Sequence, residues 1–356
     1  MSKRTETRQI KVGSLPIGGG APVSVQTMCN RDPHDVAALV EQIRACEALG
    51  CDLIRLTVPD IRAAECLGEV RRQVGIPLVS DIHFDFNCAL AAIVHGTDAL
   101  RLNPGNIGGR DKVQAVARAA LEKHVPIRIG VNLGSLEKEL AEALALKRVT
   151  VAEALCQSAM RHVKLLEDEN FRDIAISVKA SNVADTLAAY RLLAEKTDCP
   201  LHLGVTEAGT FLPGTVRSAV ALGILLEEGI GDTIRVSLTA DPAEEVRVGT
   251  EILRSLGLKA PGPAVTSCPT CGRTKADVFK VAAEVEAALE KLRLSCYPHV
   301  AVMGCVVNGP GEAKGADIAL CGGQGEFMLF VHGEAVGKVP EAEAARKVVE
   351  YVLREK

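Results

Sequence analysis

The chain has 356 residues, 47% of them hydrophobic, so it can bury one large core and a smaller one. Its formal net charge of -4 argues against nucleic acid as the main partner, because such domains carry a clear basic excess. No apolar run approaches the roughly 18 residues of a membrane helix, and the N-terminus has no apolar segment typical of a signal peptide. We therefore expect a cytoplasmic protein with no membrane partner.

From residue 22 to about 257, a short apolar run alternates eight times with a longer amphipathic segment. This alternation is typical of parallel strands joined by crossover helices. The predicted strands are 22–28, 52–58, 77–83, 99–105, 126–132, 173–180, 201–207 and 232–239. Eight such units predict an α/β fold, a (β/α)8 TIM barrel. A doubly wound open sheet is the alternative, but no Gly-x-Gly-x-x-Gly follows the first strand to mark a dinucleotide crevice.

Helix starts and a hinge divide the chain further. Thr150 with Glu153 forms a capping box, and Asp241, Pro242 and Glu244 supply an N-cap, an N1 proline and an N3 acid. The prolines and glycine of 259–264 cannot continue a helix and predict a hinge. We therefore predict a barrel domain over 1–258 and a small α/β domain over 265–356. The second domain is expected to contain helices at 276–291 and from 341, and strands at 299–303, near 318 and at 327–331.

Polar side chains stand at the predicted carboxyl ends of the barrel strands, where TIM-barrel enzymes place their active sites. They are Gln26, Arg55, Asp81, His83, Arg101, Asn103, Arg128, Asn132, Lys179, Thr206, Glu207, Arg235 and Ser237. Four arginines and a lysine in one cavity repel each other unless an anion or carboxylates offset them. Arginine forks fit phosphate oxygens, so a multiply charged anion such as a diphosphate is predicted. The other interpretation is that each arginine pairs with a carboxylate as scaffolding. His83 and Glu207 are candidates for proton transfer.

Three cysteines have ligand-like spacing. Cys268 and Cys271 form a C-x-x-C loop, and Cys305 follows in a second loop rich in glycine and proline. Thiolates from two such loops can surround one metal centre. Zinc prefers a closed set of four ligands, and no second C-x-x-C is present. A cubane iron–sulfur cluster is left with one iron for another ligand, for which Glu312 is a candidate. A thioredoxin-like motif is disfavoured because no helix of a thioredoxin fold follows it. The cysteines in or beside the barrel elements are predicted to be buried small hydrophobes; they are Cys29, Cys46, Cys51, Cys66, Cys88, Cys156 and Cys199. Cys296 and Cys321 are closer to the ligand loops and are alternative ligands that we do not favour.

Together these motifs resemble the bacterial 4-hydroxy-3-methylbut-2-enyl diphosphate synthases of the methylerythritol phosphate route to isoprenoids. The resemblance rests on the segments 25–28, 54–59, 80–84, 101–108, 128–135, 204–207, 267–271 and 305–312. It implies a [4Fe-4S] cluster ligated by Cys268, Cys271, Cys305 and Glu312. It also implies that the diphosphate of 2-C-methyl-D-erythritol 2,4-cyclodiphosphate is held by Arg55, Arg101, Arg128, Asn132, Lys179, Arg235 and Ser237, with Thr206 beside them. Glu207, Asp81 and His83 are placed near the reacting carbon, with Glu207 as the proton donor.

The reaction implied by the resemblance is a two-electron reductive ring opening with loss of water. Flavodoxin or ferredoxin is the implied electron donor, and the implied assembly is a head-to-tail homodimer in which each cluster domain caps the partner's barrel. A different enzyme class stays open, namely a phosphate- or pterin-binding barrel with a structural metal tail. A nucleic-acid-binding metal module has little support, because aromatic residues make up only 3% of the chain.

Overall fold

A computed structural model of the chain describes residues 3–103, 105–292, 294, 296–305, 311 and 314–354. The chain divides into two compact units, Met1–Lys259 and Ala260–Lys356. The division falls at the start of the segment predicted to be a hinge. Across the described residues, no helix is both long enough and apolar enough to cross a membrane.

The first unit is a barrel of eight parallel strands. They are β3 Ser24–Met28, β4 Leu53–Thr57, β5 Leu78–Asp81, β6 Ala99–Leu102, β7 Ile127–Asn132, β8 Ile174–Lys179, β9 His202–Leu203 and β10 Thr233–Ile234. Their order is β8-β7-β6-β5-β4-β3-β10-β9, and a parallel bridge between Ile176 and Leu201 joins the two edges. The predicted TIM barrel is confirmed. Most strands are shorter than predicted, because the chain turns into the loops of the barrel mouth before the apolar run ends.

Helices follow the strands around the outside. They are α1 Val36–Ala48, α2 Ile61–Arg71, α3 Phe86–Val94, α4 Arg110–Glu122, α5 Lys138–Ala145, α6 Val151–Glu167, α7 Val183–Ala194, α8 Phe211–Glu227 and α9 Pro242–Ser255. The predicted start signals are confirmed: Asp241 accepts a hydrogen bond from the amide of Ala243 at 2.9 Å, and Thr150 and Glu153 form the capping box of α6. These local signals set where each helix begins.

A hairpin closes the end of the barrel opposite the mouth, and the sequence analysis did not predict it. Strands β1 Ile10–Val12 and β2 Leu15–Ile17 pair antiparallel. Their buried side chains form one apolar cluster with residues of four barrel strands, namely Leu53, Val79, Ala99 and Ala175. Strands of three residues are too short to show a clear period in the sequence. The hairpin thus covers this end of the barrel with an apolar layer.

The described residues of the second unit form a five-stranded sheet accompanied by helices. Its strands, in spatial order, are β11 Ala264–Ser267, β12 His299–Met303, β13 Ile318–Gly322, β14 Glu326–Val331 and β15 Glu334–Pro340; its helices are α10 Val278–Leu292 and α11 Ala344–Arg354. The first three strands are parallel and the last two pairings are antiparallel. Strands β11 and β15 were not predicted, because both are largely exposed and lack an apolar alternation.

Candidate active site

A cavity of about 290 Å³ opens among the carboxyl ends of the barrel strands. It is lined by Arg55, Arg101, Arg128, Gly130, Val131, Asn132, Ser177, Lys179, Thr206, Glu207, Arg235 and Ser237. Every residue predicted to bind substrate is in this set, together with Glu207. Neighbouring strands in register place Arg101 beside Arg128, and Asn132 beside Lys179. Closure of the barrel thus brings five cations to one cavity.

Asp81 lies behind the cavity and joins two of its arginines. Its side chain is 2% exposed, with one oxygen 3.2 Å from Nη1 of Arg101 and the other 3.5 Å from Nε of Arg55. Burial by itself would raise the pKa of Asp81, but the nearby arginines outweigh burial and lower it. Asp81 is therefore an ionised counter-charge that holds Arg55 and Arg101 in place.

Arg128 is the most deeply buried cation of the cavity, with only 6% of its surface exposed. Its Nη1 donates to Oε1 of Gln26 at 2.6 Å. Its Nε and Nη2 are buried and have no hydrogen-bond partner among the described residues. Buried donors without partners cost free energy, about 1–3 kcal/mol each and more when charged. Such donors at a cavity wall fit oxygens of an anionic ligand.

Arg55, Arg101 and Arg235 each have a carboxylate partner, whereas Lys179, like Arg128, has none among the described residues. Among the described residues no hydrogen bond or ion pair involves its Nζ. A side chain at Gly204 would put its Cβ 2.6 Å from that nitrogen, so glycine there leaves the room that Lys179 needs. Burial and the surrounding arginines lower the pKa of Lys179 well below its ordinary value.

The predicted proton-transfer residues are in different settings. Glu207 lines the cavity and has a backbone φ of +52°, a left-handed conformation that non-glycine residues adopt at a cost of about 1–3 kcal/mol. His83 is exposed on the loop after β5, where its ring centroid lies 6.0 Å from that of Phe84. It is not among the residues that line the cavity. The fold thus brings Glu207, but not His83, to the cavity wall.

Arg235 has a carboxylate partner that the sequence analysis missed. Its Nε and Nη2 lie 3.3 and 3.4 Å from the two oxygens of Glu245, in the first turn of α9. In the sequence, acidic residues in the first turn of α9 are sufficiently explained by the preference of helix N-termini for negative charge. The signal that could have revealed this pair is an acidic residue ten positions after an arginine at the end of a strand.

The predicted cysteine ligands lie in the second unit. Cys268 and Cys305 follow the carboxyl ends of the neighbouring parallel strands β11 and β12, and Cys271 is exposed in the first of these loops. The amide of Thr270, a residue with φ of +68°, donates to Sγ of Cys268 at 3.4 Å. A hydrogen bond from the backbone of Arg273 lowers the pKa of Cys271. The first loop therefore favours the thiolate of Cys271, the form that binds iron.

The fourth predicted ligand, Glu312, lies outside the described residues. The residues that are described contain no group of three ligand side chains close enough for a single metal ion. A cubane cluster spaces its ligands more widely than one ion does, because each thiolate binds a different iron. The donor set and its amide hydrogen bonds fit such a cluster.

The other cysteines match the prediction of structural thiols in most positions. Cys29, Cys46, Cys51, Cys88, Cys156 and Cys199 are buried in the barrel unit, and Cys66 is half-buried. Burial raises the pKa of Cys29 to about 12. In the second unit Cys296 is exposed, and Cys321 is buried in β13.

The protein has a closed (β/α)8 barrel whose mouth is lined by cations, and a smaller unit in which two neighbouring loops carry cysteines. This combination defines its class. Family models agree over nearly the whole chain. The GcpE TIM-barrel domain matches residues 7–250, and the GcpE protein C-terminal domain matches residues 264–354. The chain belongs to the GcpE family.

Several curated relatives are similar along their full length. A protein of Geobacter sulfurreducens, named 4-hydroxy-3-methylbut-2-en-1-yl diphosphate synthase (flavodoxin), is 55% identical over 356 residues, which cover 99% of each chain. Proteins with the same name from Clostridium acetobutylicum and Caldanaerobacter subterraneus are 53% and 51% identical, again over 99% of each chain. Among solved structures, Yersinia pestis dihydropteroate synthase has a TM-score of 0.48 and 12% identity over 70% of this chain and 97% of that one.

Proposed function

We propose that this chain is a 4-hydroxy-3-methylbut-2-en-1-yl diphosphate synthase that receives electrons from flavodoxin. Two relatives with that name are 55% and 53% identical to it over 99% of each chain. The observation that carries the proposal is the cavity, where four cations from four strands and Arg235, directly after β10, line one space of about 290 Å³. This site is chemically suited to a compact, multiply charged anion.

The substrate we propose is 2-C-methyl-D-erythritol 2,4-cyclodiphosphate, with its diphosphate among the cations. Five cations face three carboxylates: Glu207 at the wall, and Asp81 and Glu245 behind it. When all are ionised, two positive charges remain in excess, which a diphosphate offsets. In this proposal the arginines donate to its oxygens, while Asn132, Thr206 and Ser237 supply neutral donors.

The cofactor we propose is a [4Fe-4S] cluster held by Cys268, Cys271, Cys305 and Glu312. When bound, the cluster supplies low-potential electrons and an iron that can meet a substrate oxygen. The chain contributes the two loops, and in the first of them the backbone of Thr270 and Arg273 donates hydrogen bonds to the sulfurs of Cys268 and Cys271. Of the four proposed ligands, the carboxylate of Glu312 is the one that can be displaced while all three thiolates stay bound.

Proton transfer is assigned to Glu207, because its side chain lines the cavity and a hydroxyl that leaves as water needs a proton donor. Asp81 holds Arg55 and Arg101 at the distances given above, so its contribution is to orient the cations around the substrate. His83 does not line the cavity, so a part in proton transfer requires it to move toward the substrate.

Lys179 makes ligand binding depend on pH. Its pKa is lowered by burial and the neighbouring arginines, and a bound diphosphate raises it again. Binding therefore takes up a proton, and affinity falls as pH rises from the lowered pKa of the free site toward the higher pKa of the complex. Isothermal titration with inorganic pyrophosphate, in two buffers of different ionisation enthalpy, measures this uptake. Lys179→Arg stays charged and should bind with less uptake; equal uptake in both proteins contradicts the assignment.

The proposed assembly is a head-to-tail homodimer in which each cluster unit serves the partner's barrel. Helix α8 leaves a stripe of large apolar side chains between 37% and 70% exposed; they are Phe211, Leu212, Val216, Val220 and Ile224. Four of them recur at every fourth residue and so share one face of the helix. Exposed apolar patches of this kind mark interfaces.

Val216→Glu is expected to shift the dimer toward monomer, because it buries a charge in the apolar contact. Sedimentation equilibrium measures the change. The matched control is Val94→Glu, at an exposed valine that ends α3 away from this stripe. If Val216→Glu stays as dimeric as the control, α8 is not the interface.

The function itself is tested on protein purified without oxygen. Iron and sulfide analysis and electron paramagnetic resonance of the dithionite-reduced protein should show a [4Fe-4S] signal that changes on addition of the cyclic diphosphate. Reduced flavodoxin, compared with reduced ferredoxin, should then support conversion of the substrate. Bound zinc, or no iron after reconstitution, would leave only an anion-binding barrel.

A further inference from the structure

Glu245 is a buried carboxylate in the first turn of α9, with 4% of its surface exposed. Each of its oxygens accepts from two donors. One oxygen accepts from the hydroxyl of Thr27 at 2.6 Å and from Nε of Arg235 at 3.3 Å. The other accepts from the amide of Leu238 at 2.9 Å and from Nη2 of Arg235 at 3.4 Å. The carboxylate thus joins β3, the residue after β10 and the following loop.

These contacts determine how the last βα unit faces the cavity. Glu245 occupies the Nε and Nη2 edge of Arg235, so the two N–H groups of Nη1 and the second N–H of Nη2 are left for a ligand. The bond to the amide of Leu238 fixes the backbone beside Ser237, a second cavity residue. A single side chain outside the cavity therefore controls two residues that line it.

We propose that Glu245 is a positioning residue for the anion site, acting through Arg235 and the Ser237–Leu238 backbone. The inference rests on the proposed function in so far as the ligand is a diphosphate. The role requires a group that only accepts hydrogen bonds, since four donors converge on two oxygens. A glutamine in the same place has one amide nitrogen, which must face at least one N–H of Arg235 or Leu238. Glutamine therefore matches glutamate in shape, but it places an N–H donor where the site needs an acceptor.

The test is the binding of inorganic pyrophosphate, measured by isothermal titration on the full chain. Glu245→Gln is expected to bind about tenfold or more weakly, in line with the loss of one charge-assisted hydrogen bond. The matched control is Glu244→Gln. Glu244 is the neighbouring residue in the same helix turn; its side chain is 42% exposed, and its ion pair among the described residues is with Arg247, at 3.7 Å. The control should bind as the natural protein does, and equal binding by the two variants would overturn the proposal.

Three further variants separate positioning from a loss of folding. Glu245→Asp keeps an acceptor-only group and should recover part of the affinity lost in Glu245→Gln; a glutamine variant that binds better than the aspartate variant contradicts the role. Arg235→Met and the double variant Arg235→Met with Glu245→Gln complete a cycle. If Glu245 acts in part through Arg235, Glu245→Gln costs less affinity in the Arg235→Met background than in the natural protein, and the remaining loss comes from the Ser237–Leu238 backbone. Fully additive losses would contradict the route through Arg235.

Pyrophosphate binding also separates this inference from the proposed function. A natural protein that binds pyrophosphate but does not convert the cyclic diphosphate refutes the proposed function and leaves the role of Glu245 intact. A protein that converts the substrate while Glu245→Gln binds pyrophosphate unchanged refutes the role of Glu245 alone.

Discussion

Cys305→Ser protein is expected to hold no [4Fe-4S] cluster after anaerobic reconstitution, and to lose synthase activity entirely. Cys305 follows the carboxyl end of β12, next to the loop that carries Cys268 and Cys271. A serine hydroxyl is a far poorer ligand for iron than a thiolate. The barrel is a separate compact unit, so its fold should be retained. Iron and sulfide content, the electron paramagnetic resonance signal and the affinity for pyrophosphate measure these outcomes separately.

The matched control is Cys296→Ser, an exposed cysteine of the same unit that we do not assign as a ligand. It should keep the iron content and the signal of the natural protein. A Cys305→Ser protein with full iron content and turnover refutes the ligand assignment. Loss of the signal in both variants would show that the unit, and not a particular thiolate, is sensitive to substitution.

Arg128→Met is expected to weaken pyrophosphate binding by about a hundredfold or more. The change removes the two buried nitrogens that have no partner among the described residues and that we assign to the ligand. Hydrogen bonds to charged groups contribute about 1.5–3 kcal/mol each, so two of them correspond to at least this factor. Thermal stability should change little, because the loss of the bond to Gln26 is offset by removal of unsatisfied buried donors.

Arg118→Met is the control, since Arg118 is exposed on α4 outside the cavity. Titration calorimetry with pyrophosphate and thermal unfolding of both variants give the comparison. An Arg128→Met protein that binds pyrophosphate as the control does would place the anion elsewhere. A large fall in its melting temperature would instead show that Arg128 stabilises the barrel and is not held for the ligand.

Local patterns of the sequence predict much of the architecture. The eight apolar runs, the helix starts at Thr150 and Asp241, and the strand-end positions of the cations predicted the barrel and the members of its cavity. Each of these signals depends on residues close together in the chain, since strand period, helix period and capping act over a few residues. The unpredicted strands are those without such a period: the three-residue strands of the hairpin, and the exposed strands β11 and β15.

The pairing of charges at the mouth was decided only by the tertiary structure. Gln26 meets Arg128 across 102 residues of chain, and Thr27 meets Glu245 across 218. The sequence showed five cations but not that Asp81 joins two of them, nor that Arg128 and Lys179 lack a carboxylate partner among the described residues. These contacts depend on strand order, register and barrel closure, which bring distant residues within hydrogen-bonding distance. Local propensity predicts which residues reach the mouth, whereas only the closed barrel determines which of them are left to bind a ligand.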